Sequence, residues 1–389
     1  MHSGKILYVG GFKLPDRNAA AHRVINNGKL LRDIGYEVFF LGVDERNSDY
    51  LSMTKKSFFG FDCYSIPYPN NIKQWLKYLT SIFWVKKIVS DIQDISCVIV
   101  YNYQAIALLR LSRFCRKNNI SIVGDSTEWY GSKGENFLFK ILKGLDTFLR
   151  MRILQKQMNG LIVISSYLTK YYRTVRNLLC LPPLVDKLEY KWVQNELQVN
   201  FSKIRLVYAG TPGKTKDNLG LLIECLYDLK HYSNFEFIIV GISKEEYLSN
   251  NCQKKIIDDL GNKVVFKGRV PHQTSINLLK GSDFSIFLRQ KTRTNMAGFP
   301  TKLVESISSG TPVITTNTSD ISKYIINMKN GIIVDQLNKE SLLTVLRNLL
   351  SLDIKIIRGI KENVDATTFH YMNYCDQMKK FISQSIKGE

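Results

Sequence analysis

Residues 295–318 read "NMAGFPTKLVESISSGTPVITTNT", and how this stretch folds decides the architecture. Gly298 and Pro300 shape a turn, an apolar-and-serine run of helical length follows, and a second glycine leads into a β-branched segment. That order predicts a loop, a short helix and a buried strand. A single carboxylate, Glu305, stands one turn inside the helix.

Working outward, the same alternation of strand-length apolar runs and longer segments of helical period fills the chain. The first half offers "KILYVGG", "YEVFFLGV", "CVIVYN", "ISIVGD" and "GLIVIS"; the second offers "IRLVYAG", "FEFIIVG", "KVVFKG", "FSIFLR", "TPVITT" and "GIIV". Near-continuous Val/Ile/Leu runs fit parallel strands covered on both faces by helices. The class expected is α/β, with two Rossmann-like doubly wound domains facing a cleft where the carboxyl ends of both sheets meet. The expected bounds are an acceptor-side domain over 1–186, a linker over 187–203 within the polar stretch "DKLEYKWVQNELQVNFSK", and a nucleotide-binding domain over 204–366. A closing helix over 367–389 is expected from the spacing of Phe369, Met372, Tyr374, Met378 and Phe381; whether it packs on its own domain or crosses back stays open.

The 389 residues are 44% hydrophobic, enough for two domains with cores of their own. Seven scattered cysteines with no C-x-x-C pair predict reduced thiols in a cytoplasmic protein and no structural metal. No run reaches the length of a spanning helix, and the first residues lack the apolar core of a signal peptide. The net charge is +20, roughly +12 of it in residues 1–190, so an anionic partner is expected.

Three strand-to-helix turns could meet a phosphate. A helix start exposes backbone N–H groups and the positive end of the dipole. At the opening stretch Gly298, Phe299 and Pro300 form the turn, Thr301 is a candidate cap or first-turn donor, and Lys302 adds a point charge. Glu305 lies four residues after Thr301 on the same helix face, and a carboxylate can accept from two hydroxyls at once, as a ribose diol requires. It could equally be an early-turn carboxylate near the dipole, with Lys302 a solvated charge. The second turn, "YAGTPGKTKDNLG", carries Lys214 and Lys216, either of which could neutralise a diphosphate, though its glycines are too close for a P-loop. The third, "VGGFKLPDRNAAAHR", offers backbone access at Gly10 and Gly11 but lacks G-x-G-x-x-G.

The second half resembles the retaining glycosyltransferases of the GT-B fold, in particular the nucleotide-sugar-dependent family 4 that includes enzymes of surface polysaccharide synthesis. The resemblance is densest in "YAGTPGKTKDNL", "FIIVG", "VVFKGRVPHQTSINLLKGSDFSIFL", "GFPTKLVESISSGTPVI" and "NGIIV"; "DIGYEVFFLGV", "GLIVISSYLTKYY" and "LPPLVD" fit the more variable acceptor domain. It implies a glycosyltransferase moving a sugar from a nucleoside diphosphate sugar, a donor substrate rather than a cofactor, to a glycan or polyprenyl-diphosphate-linked acceptor, with retention by front-face attack and no metal. It places Glu305 on the donor ribose, Lys216 on the diphosphate and the backbone near Arg269 and Val270 on the base. The chain departs from the family twice. The first glutamate of the family's paired motif falls on Ala297, and its diphosphate arginine falls on Thr211. Arg289 or Asn295 could take over part of that glutamate's hold on the sugar. Where relatives carry a histidine, "IVGDSTEWYG" offers Asp125 and Glu128, either of which could accept the acceptor's proton or bind sugar hydroxyls.

Two first-half segments, "IKQWLKYLTSIFWVKKIV" from Ile72 and "FLFKILKGLDTFLRMRILQK" from Phe137, combine aromatic and cationic residues in a helical pattern. Such faces suit the headgroup region of an anionic membrane, which would make the protein peripheral at the inner leaflet, or they are core-facing helices with solvated lysines. No zinc-finger, helix-turn-helix or RNA-binding signature supports nucleic acid. The rivals to a transferase are a non-catalytic binding or scaffold module that lost turnover with the first glutamate, and a sugar-nucleotide epimerase on the same fold.

Overall fold

The structure is a computed structural model, and it describes residues 4–47, 49, 52–129, 137–193, 203–212, 217–249 and 251–387. The chain divides into two compact units, one of residues 1–185, 297–299 and 371–389, the other of residues 186–296 and 300–370.

The first unit is built on an eight-stranded sheet. Its strands are β1 (Lys5–Gly10), β2 (Glu37–Asp44), β3 (Thr54–Phe58), β4 (Phe61–Pro67), β5 (Ile95–Tyr101), β6 (Ser121–Ser126), β7 (Gly160–Val163) and β8 (Leu178–Cys180). They lie in the order β3-β4-β2-β1-β5-β6-β7-β8, all parallel except the antiparallel edge pair β3 and β4. The near-continuous apolar runs are explained by two covered faces. Ile6 and Tyr8 of β1 point into one core together with Met378, Phe381 and Ile382 of the helix Cys375–Lys387. Their neighbours Leu7 and Val9 point into the other, against Val85, Ile88, Leu108 and Leu111. Each such fully buried side chain contributes about 1.5–3 kcal/mol, so the C-terminal helix is part of this unit's core.

The second unit carries six parallel strands, β9 (Ile204–Ala209), β10 (Phe235–Val240), β11 (Val264–Phe266), β12 (Phe284–Phe287), β13 (Val313–Thr316) and β14 (Gly331–Val334). Their order is β11-β10-β9-β12-β13-β14. Strand order reverses between β9 and β12, the topological switch point at which doubly wound sheets take ligands, outside the carboxyl ends of the strands. The opening stretch folds as expected: the helix Thr301–Ser308 follows the Gly298-Phe299-Pro300 turn and leads into β13.

Several elements differ from the sequence pattern. The hairpin of β3 and β4 was not among the strand candidates; β3 reads Thr-Lys-Lys-Ser-Phe with an exposed centre, an edge strand whose lysines hide it from an apolar-run criterion. The segment from Ile72 is two helices, Ile72–Thr80 and Phe83–Ile92, because Ser81 adopts an extended conformation between them. The spacing from Phe369 to Phe381 is not one helix either: a 3-10 turn, Tyr371–Tyr374, precedes Cys375, and Met372 stays exposed. Within the stretch read as a linker, Tyr190–Trp192 form a short 3-10 turn whose indole is buried.

Candidate functional site

In the second unit, the residues that converge at the switch point come from two strand ends, one helix start and one loop. Tyr208 lies near the end of β9, Arg289 just beyond β12, Lys302 in the first turn of the helix Thr301–Ser308, and Asp217 in the loop after β9. Asn218 fixes that loop. Its N–H donates to the Leu288 carbonyl at 2.9 Å, and its side chain caps the helix Leu219–Asp228 by accepting from Leu221 N. Thr316, at the end of β13, locks the neighbouring strand end, accepting from Arg289 N at 2.9 Å and donating to Arg289 O at 2.6 Å.

Asp217 is the hub. Its carboxylate accepts from Arg289 Nε at 2.8 Å, from Lys302 Nζ at 2.9 Å and from the Tyr208 hydroxyl at 2.8 Å. The Lys302 ammonium also lies 5.0 Å from the Tyr208 ring centroid, within cation–π range. Gly210 makes the approach of Lys302 feasible: its φ is +122°, and a Cβ there would stand 3.0 Å from both Cε and Nζ of the lysine. Burial alone would raise the Asp217 pKa, but the charges of Lys302 and Arg289 prevail and hold it below the ordinary carboxyl value. Burial dominates at Lys302, whose pKa falls despite Asp217. Burial and then Asp217 push Tyr208 far upward, so its phenol stays a donor.

The arrangement has one more cation than anion. Asp217 is 2% exposed, whereas Arg289 and Lys302 keep 13% and 12% of their side chains accessible. The excess positive charge therefore sits at the surface of the cluster, beside a helix start whose first turn no side chain caps. Pro300 occupies the N-cap position and Thr301 is the first helical residue, so of the two roles weighed for Thr301 only the first-turn one is realised. One turn further, Glu305 is 28% exposed and its Oε1 lies 3.4 Å from His272 Nε2, a contact that aims the carboxylate away from its own helix.

The other candidates are distributed as follows. Asn295 is buried and bonded locally, its amide donating to the Gln290 carbonyl at 2.9 Å, which shapes the loop. Arg269 is exposed and paired with Glu246 at 2.9 Å, beside half-buried Val270. Lys214 and Lys216 lie outside the described residues. Gly298 is partly accessible and Phe299 and Pro300 are buried. Ala297 is fully buried, and within the first unit its carbonyl accepts from the Ser165 hydroxyl at 2.7 Å.

In the first unit Gly10 ends β1 where a Cβ would stand 2.8 Å from the Tyr101 backbone, and it helps to line a small cavity with Gly42, Tyr78 and Tyr103. Gly11 is exposed. Asp125 has a different occupation from the one its neighbourhood suggested. It is wholly buried, accepting from Arg23 Nη2 at 2.8 Å and from the Tyr8 hydroxyl at 2.6 Å, which leaves no oxygen open to an incoming hydroxyl. Glu128, two residues past β6, is exposed. Sequence reasoning missed Asp217 and His272 as site residues, though both stand in quoted stretches. The signal for Asp217 was a carboxylate directly after a lysine-rich turn and before a helix cap.

Residues 194–364 match the family described as glycosyl transferases group 1. No curated protein matches the chain by sequence. Solved structures share its fold over nearly the full length. Sucrose-phosphate synthase from Thermosynechococcus elongatus is 14% identical with a TM-score of 0.74, covering 99% of this chain and 100% of that one. The catalytic domain of starch synthase IV from Arabidopsis thaliana, bound to ADP and acarbose, is 10% identical with a TM-score of 0.72, covering 99% of each. HepE from Anabaena in complex with UDP is 13% identical with a TM-score of 0.67, covering 97% of this chain and 99% of that one. At such identities the likeness shows the fold, two parallel-sheet domains of the GT-B type.

Proposed function

We propose that the protein transfers a sugar from a nucleoside diphosphate sugar to a glycan or lipid-linked acceptor in surface polysaccharide synthesis, with retention at the anomeric carbon. The observation that carries this reading is the unbalanced cluster at the ends of β9 and β12, where Arg289 and Lys302 share the single carboxylate of Asp217. A diphosphate supplies the missing negative charge, and charge-assisted hydrogen bonds to its oxygens are the strong kind. The uncapped helix start adds backbone donors and the positive dipole end. Glu305, one turn along, is at the spacing that lets it accept from both ribose hydroxyls while Lys302 holds phosphate. Lys214 and Lys216 belong to the diphosphate contacts in this reading, Arg269 and Val270 to the base, and Gly10, Gly11 and the Gly298-Phe299-Pro300 turn to backbone contacts with the donor.

The transfer breaks the bond from the anomeric carbon to the diphosphate oxygen and forms one to the acceptor oxygen. Retention brings the acceptor hydroxyl to the face the diphosphate leaves, so a diphosphate oxygen takes the acceptor's proton. Charge grows on the diphosphate as the bond breaks, and Arg289 and Lys302, already held in place by Asp217, meet it without reorganising. Of the two first-unit carboxylates, Glu128 is the one able to contact sugar hydroxyls, since Asp125 is occupied.

The test is to incubate the protein with UDP-, GDP- and dTDP-sugars and a short lipid-linked acceptor and to identify products by mass spectrometry. A glycosylated acceptor is expected. An unchanged melting temperature with every nucleoside diphosphate would overturn the reading. A second reading, a binding module without turnover, is favoured by Ala297: at the position of the family's first glutamate stands a buried methyl group. Release or transfer of sugar by the purified protein excludes it.

A further inference from the structure

The helix Ile72–Thr80 buries none of its residues. Its apolar side chains nonetheless fall on one stripe, with Ile72 79%, Trp75 37% and Leu76 59% exposed, which in a globular protein would ordinarily face a core. The helix is well formed. Asn71 caps it by accepting from Gln74 N at 3.0 Å, and Trp75 is held edge-on by Tyr68 and Tyr78 with centroids at 5.4 and 5.9 Å. It packs against the helix Ala105–Lys117, which itself leaves Ile106 and Leu109 exposed.

Where the helix Ile72–Thr80 ends, at Ser81, a hollow opens whose lining includes Lys86, Arg110, Arg113 and Lys117, with Phe83 and Phe114. Phe83 is 56% exposed. Arg110 is fixed by donating to the Thr80 carbonyl at 2.7 Å, and Lys86 lies 5.5 Å from the Phe114 ring centroid. Neither the helix Ile72–Thr80 nor Ala105–Lys117 carries an acidic residue. Among the described residues no helix is long and apolar enough to cross a membrane.

We propose that this face of the first unit docks on an anionic lipid bilayer, with Ile72, Trp75, Leu76 and Phe83 entering the boundary between headgroups and acyl chains and the ring of cations meeting lipid phosphates. Aromatic and aliphatic side chains flanked by Lys and Arg are the composition of helices that lie in that boundary. A nucleic acid would satisfy the cations and leave the apolar stripe in water. A second copy would satisfy the stripe but bring two basic faces together, which like charge opposes. The inference names a partner for the lipid-linked acceptor reading above, yet docking itself requires no catalysis.

Flotation of the full chain with vesicles tests it. Vesicles of phosphatidylcholine with phosphatidylglycerol should carry the protein, pure phosphatidylcholine should carry little, and raising salt should release it. Leu76→Glu with Phe83→Glu should lower the bound fraction at least tenfold. Arg113→Glu with Lys117→Glu should lower it by roughly fivefold or more per site and flatten the salt dependence. All four positions flank solvent, and melting curves check that each variant folds. Equal flotation with neutral vesicles, no flotation, or variants that float like the parent would overturn the proposal, as would a concentration-dependent dimer abolished by Leu76→Glu. Melting shifts with UDP, GDP and dTDP are read on the same samples. Lost flotation with a shift by any of them intact sinks the docking face alone; no shift with any of the three, flotation intact, sinks the donor reading alone.

Discussion

The two units contain nearly the same polar constellation, and the difference between them separates a sealed, charge-balanced group from one that keeps excess positive charge accessible. In the first unit Tyr8 of β1 donates to Asp125 of β6, and Arg23 closes the group with bonds from both Nε and Nη2. In the second, Tyr208 of β9 donates to Asp217, which Arg289 and Lys302 flank. The first pair balances one charge with one and is sealed, Arg23 being 3% and Asp125 0% exposed; the remaining guanidinium donors reach the Leu181 and Pro182 carbonyls. The second carries two cations on one carboxylate at the carboxyl ends of the strands. Charge balance and position in the sheet, more than residue type, distinguish a group that holds a domain together from one that can hold an anion.

The largest effect should come from breaking the sealed pair. Removing one partner of a buried ion pair leaves the other uncompensated, so Arg23→Ala should lower unfolding free energy by about 3–5 kcal/mol in denaturant titrations, with nucleoside diphosphate affinity of the folded fraction unchanged. Next is the open cluster. Lys302→Met should weaken nucleoside diphosphate binding by about 1.5–3 kcal/mol in isothermal titration calorimetry, the worth of a charged hydrogen bond, while melting changes less than for Arg23→Ala. If the two variants exchanged signatures, the contrast between the units would be broken. Smaller again is Glu305→Ala, which should weaken a ribonucleoside diphosphate by about 0.5–1.5 kcal/mol for each ribose hydroxyl that the carboxylate no longer holds and leave a 2′,3′-dideoxy analogue unaffected. Equal losses for both ligands would remove Glu305 from the ribose.

Much of the second unit was legible because its signals are local. "GFPTKLVESISSGTPVI" encodes turn, helix and strand within seventeen letters, and the Thr301-to-Glu305 spacing fixes a helix face before any tertiary contact is known. The partner of Lys302 was not legible. Asp217 lies 85 positions away in sequence, brought to it by the order of β9, β12 and β13, which no periodicity encodes. Asp125 was misread for the same reason: it stands at a strand end, where catalytic carboxylates occur, but its partners Arg23 and Tyr8 come from 102 and 117 positions away. The hairpin of β3 and β4 escaped because edge strands trade apolar residues for lysines. The break at Ser81 escaped because a two-residue interruption barely disturbs helical phase.

The smallest effect, and the one that sharpens the comparison most, concerns pH. Burial, followed in effect by the nearby Arg289 charge, lowers the Lys302 pKa below its ordinary 10.5, with Asp217 working the other way. A diphosphate needs the charged ammonium, so affinity should be full well below that value and decline as pH rises through the depressed one. Asp217→Asn removes the one neighbour that raises it most and should move the decline to lower pH, whereas Lys302→Arg should hold affinity flat over the same interval, since a guanidinium stays protonated. The sealed pair offers the control. Burial works to lower the Arg23 pKa, but Asp125 together with Tyr8 and Tyr101 turns the net shift upward, so this guanidinium exchanges no proton in that interval. Calorimetric titrations of the parent and both variants at stepped alkaline pH would then show a decline that belongs to the second unit's cluster alone; an unshifted decline in Asp217→Asn would mean that the carboxylate does not govern the lysine it touches.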